Sequence, residues 1–366
     1  MSTIYDEDQR AIGEQAERVL QARADKKRLM DMIDRTDTID TLFWDAAVQQ
    51  GWPAIGVPQE HGGIGLGLVE LGIVAEACGA QTSGAPFLPY GHAAARALLA
   101  SGEAGLCARW LPVLASGKAV AALAFGEGSE ILPTSPSLRF EAGRLNGGKV
   151  GVSGGTRADF AVVWASGADG PVLVLAELAG VERKAIPSFD NARLFADIVF
   201  SGTPATLLAQ GQAARELALD LLARAGVVLA HEQVGGARAA MLAARDYALE
   251  RKAFGQPIGA FQSVKHRIAE MYCLIEIARA NAVHAAALAD RGDPGFFLAA
   301  AAARLSATEC YDACSRDATQ VHGAIGVTWD LGLHLHVRRA RSFAQEVGNM
   351  YFWEDQIADR LVGAAA

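Results

Sequence analysis

The chain has 366 residues, 51% of them hydrophobic and 20% charged, with a formal net charge of −8. This composition excludes a disordered chain, and the acidic balance argues against a nucleic-acid role. It leaves room for a polyanionic small ligand held by a local basic patch, and the length suggests two or three domains, each large enough to bury a core.

The start, Met1 to Arg10, is polar and acidic and does not read as a secretory signal. The most apolar run, Phe296 to Leu305, is too short to span a bilayer and contains Arg304. The five cysteines form no framework, and Cys310 and Cys314 have helix-face spacing rather than that of a redox or zinc pair. A cytoplasmic protein in a reducing compartment, without a membrane partner, is the expectation.

Residues 4 to about 120 read as helices joined by short loops, with Leu68 to Glu76 as one amphipathic helix. From about 121 to 207 the character changes. Val150–Ser153, Ala161–Trp164 and Val172–Leu175 are short β-branched runs separated by turn residues. Phe195–Phe200 reads as the last strand, with an exit at Gly202 to Pro204. Residues 213 to 366 return to Ala-rich helices, at roughly 213–253, 262–291, 294–320 and 331–363. Asp293-Pro294 fits a helix start with Pro in the first turn. The division expected is a helical domain over 1–120, a β domain over 121–207 and a helical bundle over 208–366. No internal repeat is visible.

Two glycine-rich stretches invite nucleotide readings. Gly62-Gly63-Ile64-Gly65-Leu66-Gly67 lacks a preceding strand in a βαβ pattern. Gly143 to Val150 nearly spells a P-loop, but Val150 stands where a magnesium-binding Ser or Thr belongs, and a hairpin turn at Asn146-Gly147 explains it better. His334 and His336 are two apart, which on a helix aims them in different directions and argues against a metal site.

The most informative stretch is Arg251-Lys252-Ala253-Phe254-Gly255-Gln256-Pro257-Ile258-Gly259-Ala260-Phe261-Gln262. Gly255 and Pro257 break one long helix, and an apolar helical pattern resumes through Val264, Ile268, Met271 and Ile275. The turn presents an arginine, an aromatic ring and an amide, a set suited to a flat, phosphate-bearing ligand. By chemistry alone an ordinary αα-hairpin with a surface arginine serves equally well.

Arg-Lys-x-Phe-Gly-x-Pro-Ile with Phe-Gln beyond it resembles the signature of the acyl-CoA dehydrogenase family. Gln320 to Asp330, followed by Arg338-Arg339-Ala340, resembles the family's Gln-x-x-Gly-Gly-x-Gly loop. Trp52-Pro53 through Pro58 to Gly65 resembles its N-terminal segment. The resemblance implies an α+β, mainly α fold: an N-terminal helical domain, a small middle β-barrel (here shorter than usual) and a C-terminal four-helix bundle. It also implies α,β-dehydrogenation of an acyl-CoA thioester with FAD. A carboxylate removes the α-proton and the β-hydrogen leaves as hydride to the flavin, with electrons passing to an electron-transfer flavoprotein or similar acceptor.

In homotetrameric members one subunit encloses the flavin ring and the neighbour holds the ADP end. Carried over by motif, the ADP-end set is Arg251 on the pyrophosphate, Phe254 beside the adenosine half and Gln262 hydrogen-bonding there. Gln320, His322 and Gly323 complete it, with Ala324 where the pattern has Gly. The flavin-ring set departs further. Ala124 to Glu130 replaces the Thr-Glu-Pro to Gly-Ser-Asp stretch, and Lys149 to Ser153 lacks the indole of the Trp-Ile-Ser/Thr stretch.

The base slot of the last long helix falls on Val347, with Glu346 one residue early, about 100° away on a helix. The alternative slot, 26 residues before Arg251, is Ala225. Three readings stand: Glu346 is the base through a local shift (otherwise it is a solvated helix carboxylate), another acid such as Glu232 serves, or a partner supplies the base. The Thr-Trp-Asp segment and the Arg-Arg-Ala helix resemble members that form α2β2 heterotetramers on bulky CoA thioesters such as steroid side chains. The expectation is the base-lacking subunit of such an assembly, with a second dehydrogenase-like chain as partner. The alternatives are a self-sufficient homotetramer using Glu346, a non-catalytic assembly subunit without flavin, and the family's oxygenase branch.

Overall fold

The computed structural model describes residues 5–23, 26–36, 38–82 and 87–365. Residues 1–4, part of the acidic start, lie outside them. Six helices come first: α1 (Glu7–Arg23), α2 (Lys26–Met32), α3 (Thr41–Gln49), α4 (Leu68–Ala80), α5 (Phe87–Ser101) and α6 (Ala104–Ala115). Asp6 and Gln9 cap α1 reciprocally, the Gln9 amide donating to Asp6 Oδ1 at 2.8 Å and the Asp6 amide to Gln9 Oε1 at 3.2 Å. The Asp40 carboxylate caps α3 through the Phe43 amide at 3.0 Å. Gly62 to Gly67 is a loop between helices, not a strand-to-helix turn.

α4 departs from expectation. Residues 71–79 are all buried, so the helix has no solvent face. Its glycines explain this: a Cβ on Gly72 would strike the His231 ring, and one on Gly79 the Glu232 carbonyl. Backbone-close packing replaces amphipathic packing there.

Seven strands follow: β1 (Ala121–Ala124), β2 (Arg139–Glu141), β3 (Arg144–Val152), β4 (Phe160–Gly167), β5 (Gly170–Glu177), β6 (Glu182–Ala185) and β7 (Ala196–Gln210). The order β4-β2-β3-β7-β5 closes on itself through β4–β5 pairing, forming a small barrel, with β1 parallel to β4 and β6 on β7. Ala161, Val163 and Ala165 of β4 face Val172, Val174 and Ala176 of β5 inside one core, the alternation a strand requires.

Two details correct the sequence reading. The hairpin turns at Ala142 and Gly143, both left-handed (φ 48° and 74°), while Asn146 and Gly147 lie within β3. The Asn146 side chain instead accepts the Gly202 amide across the sheet at 2.8 Å. β7 also continues through Gly202 to Pro204 and reaches Gln210, because β5 pairs with its second half.

The long helices are α7 (Gly211–Glu250), α8 (Gln262–Arg291) and α9 (Phe296–His322), followed by α10 (His334–Phe343) and α11 (Met350–Ala365). α9 begins at Phe296 rather than Pro294; Asp293 precedes it and accepts the Gly295 amide at 2.8 Å. The segment expected as one helix over 331–363 is two, because residues 344–349 form a turn. The fully buried Arg304 of α9 accounts for the break. Its Nη2 donates to the carbonyls of Phe343 at 2.9 Å and Glu346 at 3.1 Å, acceptors a continuous helix would use internally.

The chain forms two compact units, one of Met1–Asp31, Gly72–Ser83 and Gly226–Ala366, the other of Met32–Leu71 and Gly84–Ala225. The first holds the helical bundle and the second the barrel. No helix among the described residues is long and apolar enough to cross a membrane.

Candidate functional site

The first motif lies where α7 gives way to α8. Arg251 ends the helix, its amide still donating to the Tyr247 carbonyl at 2.8 Å and its carbonyl accepting the Ile258 amide at 2.8 Å. Lys252–Ala253 pairs with Gln256–Pro257 in a two-residue ladder, tightened by Gly255 at φ 82°. At the tip Phe254 is 96% exposed and holds φ 50°, a left-handed conformation that aromatic residues rarely adopt. Its ring meets Phe261 edge-on at 6.2 Å. Gln262 opens α8 and is exposed. An exposed guanidinium, ring and amide thus share one short connection.

The second motif is the C-terminus of α9. Gly323 caps the helix at φ 63°, which favours glycine. Gln320 is exposed, whereas His322 is buried, its Nδ1 hydrogen-bonded to the Ala318 carbonyl at 2.8 Å. The His322 ring stacks on Tyr247 of α7 with centroids 4.4 Å apart and planes at 22°. This stack joins the two motifs, since Arg251 lies one turn beyond Tyr247. Ala324 is exposed and is not among the residues with positive φ, so its methyl group costs the loop nothing. Tyr247 was not singled out by sequence; its position four residues before Arg251, on the same helix face, was the available signal.

His334 and His336 diverge as their spacing requires. His334 stacks on Trp329 at 4.4 Å, and His336 Nδ1 meets the Tyr311 hydroxyl at 3.0 Å.

In the barrel unit, the stretch Ala124 to Glu130 turns at Glu127, which bridges Glu130. Lys149 is wholly buried and donates to Glu127 Oε1 at 2.6 Å and to the Phe125 carbonyl at 3.0 Å. Burial opposes ionisation of Glu127, but hydrogen bonds from Lys149 and the Ser137 and Leu138 amides outweigh it and bring its pKa to about 2. Burial lowers the Lys149 ammonium to about 8, against the pull of Glu127. The P-loop-like lysine is therefore a buried ion-pair partner, and Glu127 is committed to structure.

Neither position that the motif count marks for the base carries an acid. Ala225 is buried within α7. Val347 is buried in the turn between α10 and α11 at φ 54°, a strained conformation for a β-branched residue, followed by Gly348 at φ 102°. Because that turn is not helical, the helical rotation argument does not apply to Glu346. Glu346 is not a solvated carboxylate either: it is 3% exposed, and its carbonyl is held by Arg304. Arg304 precedes His322 by about five turns of α9, roughly 27 Å along the helix. The Glu346 turn and the end of α9 in one chain are thus well separated. Glu232 is buried in α7.

The exposed Arg251 and Phe254 fit the ADP portion of a flavin nucleotide. The guanidinium suits a pyrophosphate, and so large an exposed aromatic surface held at strain suits a stacked or flanking planar group. Among the described residues no group of three or more His, Cys, Asp or Glu could hold a metal ion.

Comparison with known proteins gives the family. Residues 6–118 match the family model "Acyl-CoA dehydrogenase, N-terminal domain" and residues 215–362 match "Acyl-CoA dehydrogenase, C-terminal domain". The chain is 30% identical over 312 residues to the acyl-CoA dehydrogenase IpdE2 of Mycobacterium tuberculosis, covering 84% of this chain and 82% of that protein. It is 32% identical over 301 residues to the acyl-CoA dehydrogenase FadE34 of the same organism, covering 82% of this chain but 39% of that longer protein. Among solved structures, a variant of the Tcur3481-Tcur3483 steroid ACAD aligns with a TM-score of 0.88 and 27% identity over 98% of this chain and 99% of that one. The ChsE4-ChsE5 complex of M. tuberculosis shares the fold, with a TM-score of 0.88 at 22% identity over 99% of both chains. The chain belongs to the acyl-CoA dehydrogenase family.

Proposed function

We propose that this chain takes part in α,β-dehydrogenation of a bulky acyl-CoA thioester as the base-lacking subunit of a heterotetramer. Its own contribution is to hold the ADP end of FAD through Arg251, Phe254, Gln262, Gln320, His322, Gly323 and Ala324. FAD, when bound, supplies the acceptor for the hydride that leaves the β-carbon. A second dehydrogenase-like subunit supplies the carboxylate that takes the α-proton, and an electron-transfer flavoprotein or similar acceptor receives the electrons. The observation that carries the reading is the burial of Val347, an apolar side chain at the position that the motif count marks for the family's acid. The likeness to the Tcur3481-Tcur3483 steroid ACAD supports a bulky, steroid-derived thioester.

The test is expression of the chain alone and with a dehydrogenase-like partner that carries an acid at either slot. Flavin retention and turnover are expected only for the pair. A positioned general base contributes about 10²–10⁴ in rate, so the chain alone should fall short by at least that factor. Robust turnover by the chain alone would overturn the reading. One observation favours a second reading, a self-sufficient enzyme: Glu346 is buried in the same turn as Val347. Glu346→Gln would then abolish turnover, whereas under the first reading the assembled enzyme keeps it.

A further inference from the structure

We propose that the cleft enclosed by α1, α4, α7 and α8 is a second ligand site, taking an amphipathic carboxylate. The inference does not rest on the dehydrogenase reading. The cleft encloses about 850 Å³, within the roughly 300–1,000 Å³ of small-molecule sites, and lies wholly within the bundle unit.

Its inner end is polar and laced with ion pairs. Glu76 accepts Arg279 Nη2 at 2.9 Å and lies 3.7 Å from Arg238, Arg279 also pairs with Glu276, and Glu17 accepts Arg238 at 2.8 Å. Three carboxylates face two guanidiniums there, so the inner end is net negative and turns an anionic head away. The middle is apolar, walled by Ile73, Ala77, Met241, Ile268 and Tyr272. The other end differs: Arg245 pairs there only with its exposed neighbour Asp246, and Lys265 has no ion pair among the described residues. Along α8 the distance from Lys265 to Glu276 is about 16 Å. The lining therefore reads, from the α7–α8 end inward, cationic, apolar, then polar and net acidic.

One further group points to an occupant. The Tyr5 hydroxyl lines the cleft, is shut off from solvent and has no hydrogen-bond partner among the described residues. A buried hydroxyl left unpaired costs about 1–3 kcal/mol, so among such ligands one with an added polar group at its far end gains over one ending in a methyl group. The molecule that matches has one negative charge for Lys265 and Arg245 and an elongated apolar body. An uncharged chain would forgo the head contact, and a dianion would exceed the cationic charge left unpaired.

The test is calorimetric titration of the full chain, in whatever assembly it purifies, with sodium dodecanoate and separately with dodecanol, without FAD turnover or acyl-CoA. One saturable dodecanoate site per chain is expected, with dodecanol at least tenfold weaker. Lys265→Glu should weaken dodecanoate at least tenfold. Ala269→Trp, which fills the cleft from an exposed position of α8, should abolish binding. A photoreactive dodecanoate analogue should label peptides of α1, α4, α7 or α8, and this readout decides the matter if either variant fails to fold. No saturable binding, unchanged affinity in both folded variants, or labelling confined to other segments would overturn the proposal.

Discussion

The imidazole of His322 lies against the ring of Tyr247 at a centroid distance of 4.4 Å, and this one contact brings the end of α9 to the end of α7. The two residues are 75 positions apart, Tyr247 one turn before the first motif and His322 within the second. Stacked rings of this kind are worth about 0.5–1.5 kcal/mol beyond the area they bury. Tyr247→Ala should therefore weaken flavin retention by the assembled protein about three- to tenfold, through misplacement of Arg251. Tyr247→Phe should retain it. Flavin release during gel filtration, followed by absorbance, reads the difference; equal retention by Tyr247→Ala and wild type would show that the stack does not align the motifs.

Phe254 separates function from stability. Its left-handed backbone costs roughly 1–2 kcal/mol for a residue with a Cβ, and at 96% exposure the ring returns almost no burial in the isolated chain. Phe254→Gly should leave thermal stability unchanged or slightly raised while lowering flavin affinity. Arg251→Met should also lower it, by about 10- to 100-fold, for loss of a charge-assisted contact to phosphate. Calorimetric melting alongside flavin titration checks both. A fall in melting temperature for Phe254→Gly would assign the tip a structural role.

The parts of the fold that were legible in sequence are those set by local pattern. Helix periodicity placed α8 correctly, and the Arg251 to Gln262 break was visible from Gly255 and Pro257. Two features were not legible because distant residues decide them. Ala142-Gly143 and Asn146-Gly147 are both competent turns, and only the pairing of β3 with β2 and β7 selects the first. The break at residues 344–349 contains no proline; it follows from Arg304 capturing the carbonyls of Phe343 and Glu346. At the candidate site the residues proposed for the ADP end rest on motif alone. The engagement of Glu127 by Lys149 was not legible, since 22 positions separate them and no short spacing rule joins them.

The α4–α7 crossing makes a sharp test of backbone packing. A Cβ on Gly235 would overlap the Glu76 carbonyl, and the neighbouring atoms are backbone that cannot rotate away. Gly235→Ala should destabilise by about 3 kcal/mol, at the upper end of ordinary overpacking costs. Gly91, also helical, has nothing within 4 Å of an added Cβ, so Gly91→Ala should stabilise by up to about 1 kcal/mol. Denaturant unfolding of the two variants should move in opposite directions. Similar shifts for both would mean that the helices separate readily enough to admit a methyl group.

Three desolvated histidines set the acid limit. Burial, with Arg224 adding to it, lowers His92 to about 3, while burial first and lesser charge effects lower His231 and His336 to about 4. In the unfolded chain each titrates near 6.5. Between pH 6.5 and about 4 the unfolded state thus binds protons that the folded state refuses, and stability must fall as pH falls. Each histidine contributes about 1.4 kcal/mol per pH unit once well below 6.5. Glu127 adds its loss only below about pH 4.5, where its unfolded carboxylate protonates while the folded one, at about 2, does not. Unfolding free energies measured from pH 7.5 to 4.5 should decline steeply. His92→Gln should reduce the slope by about 1.4 kcal/mol per pH unit, because a neutral amide cannot take up the proton in either state. An unaltered slope in a folded His92→Gln protein would mean that His92 titrates alike in both states and is not held neutral by burial.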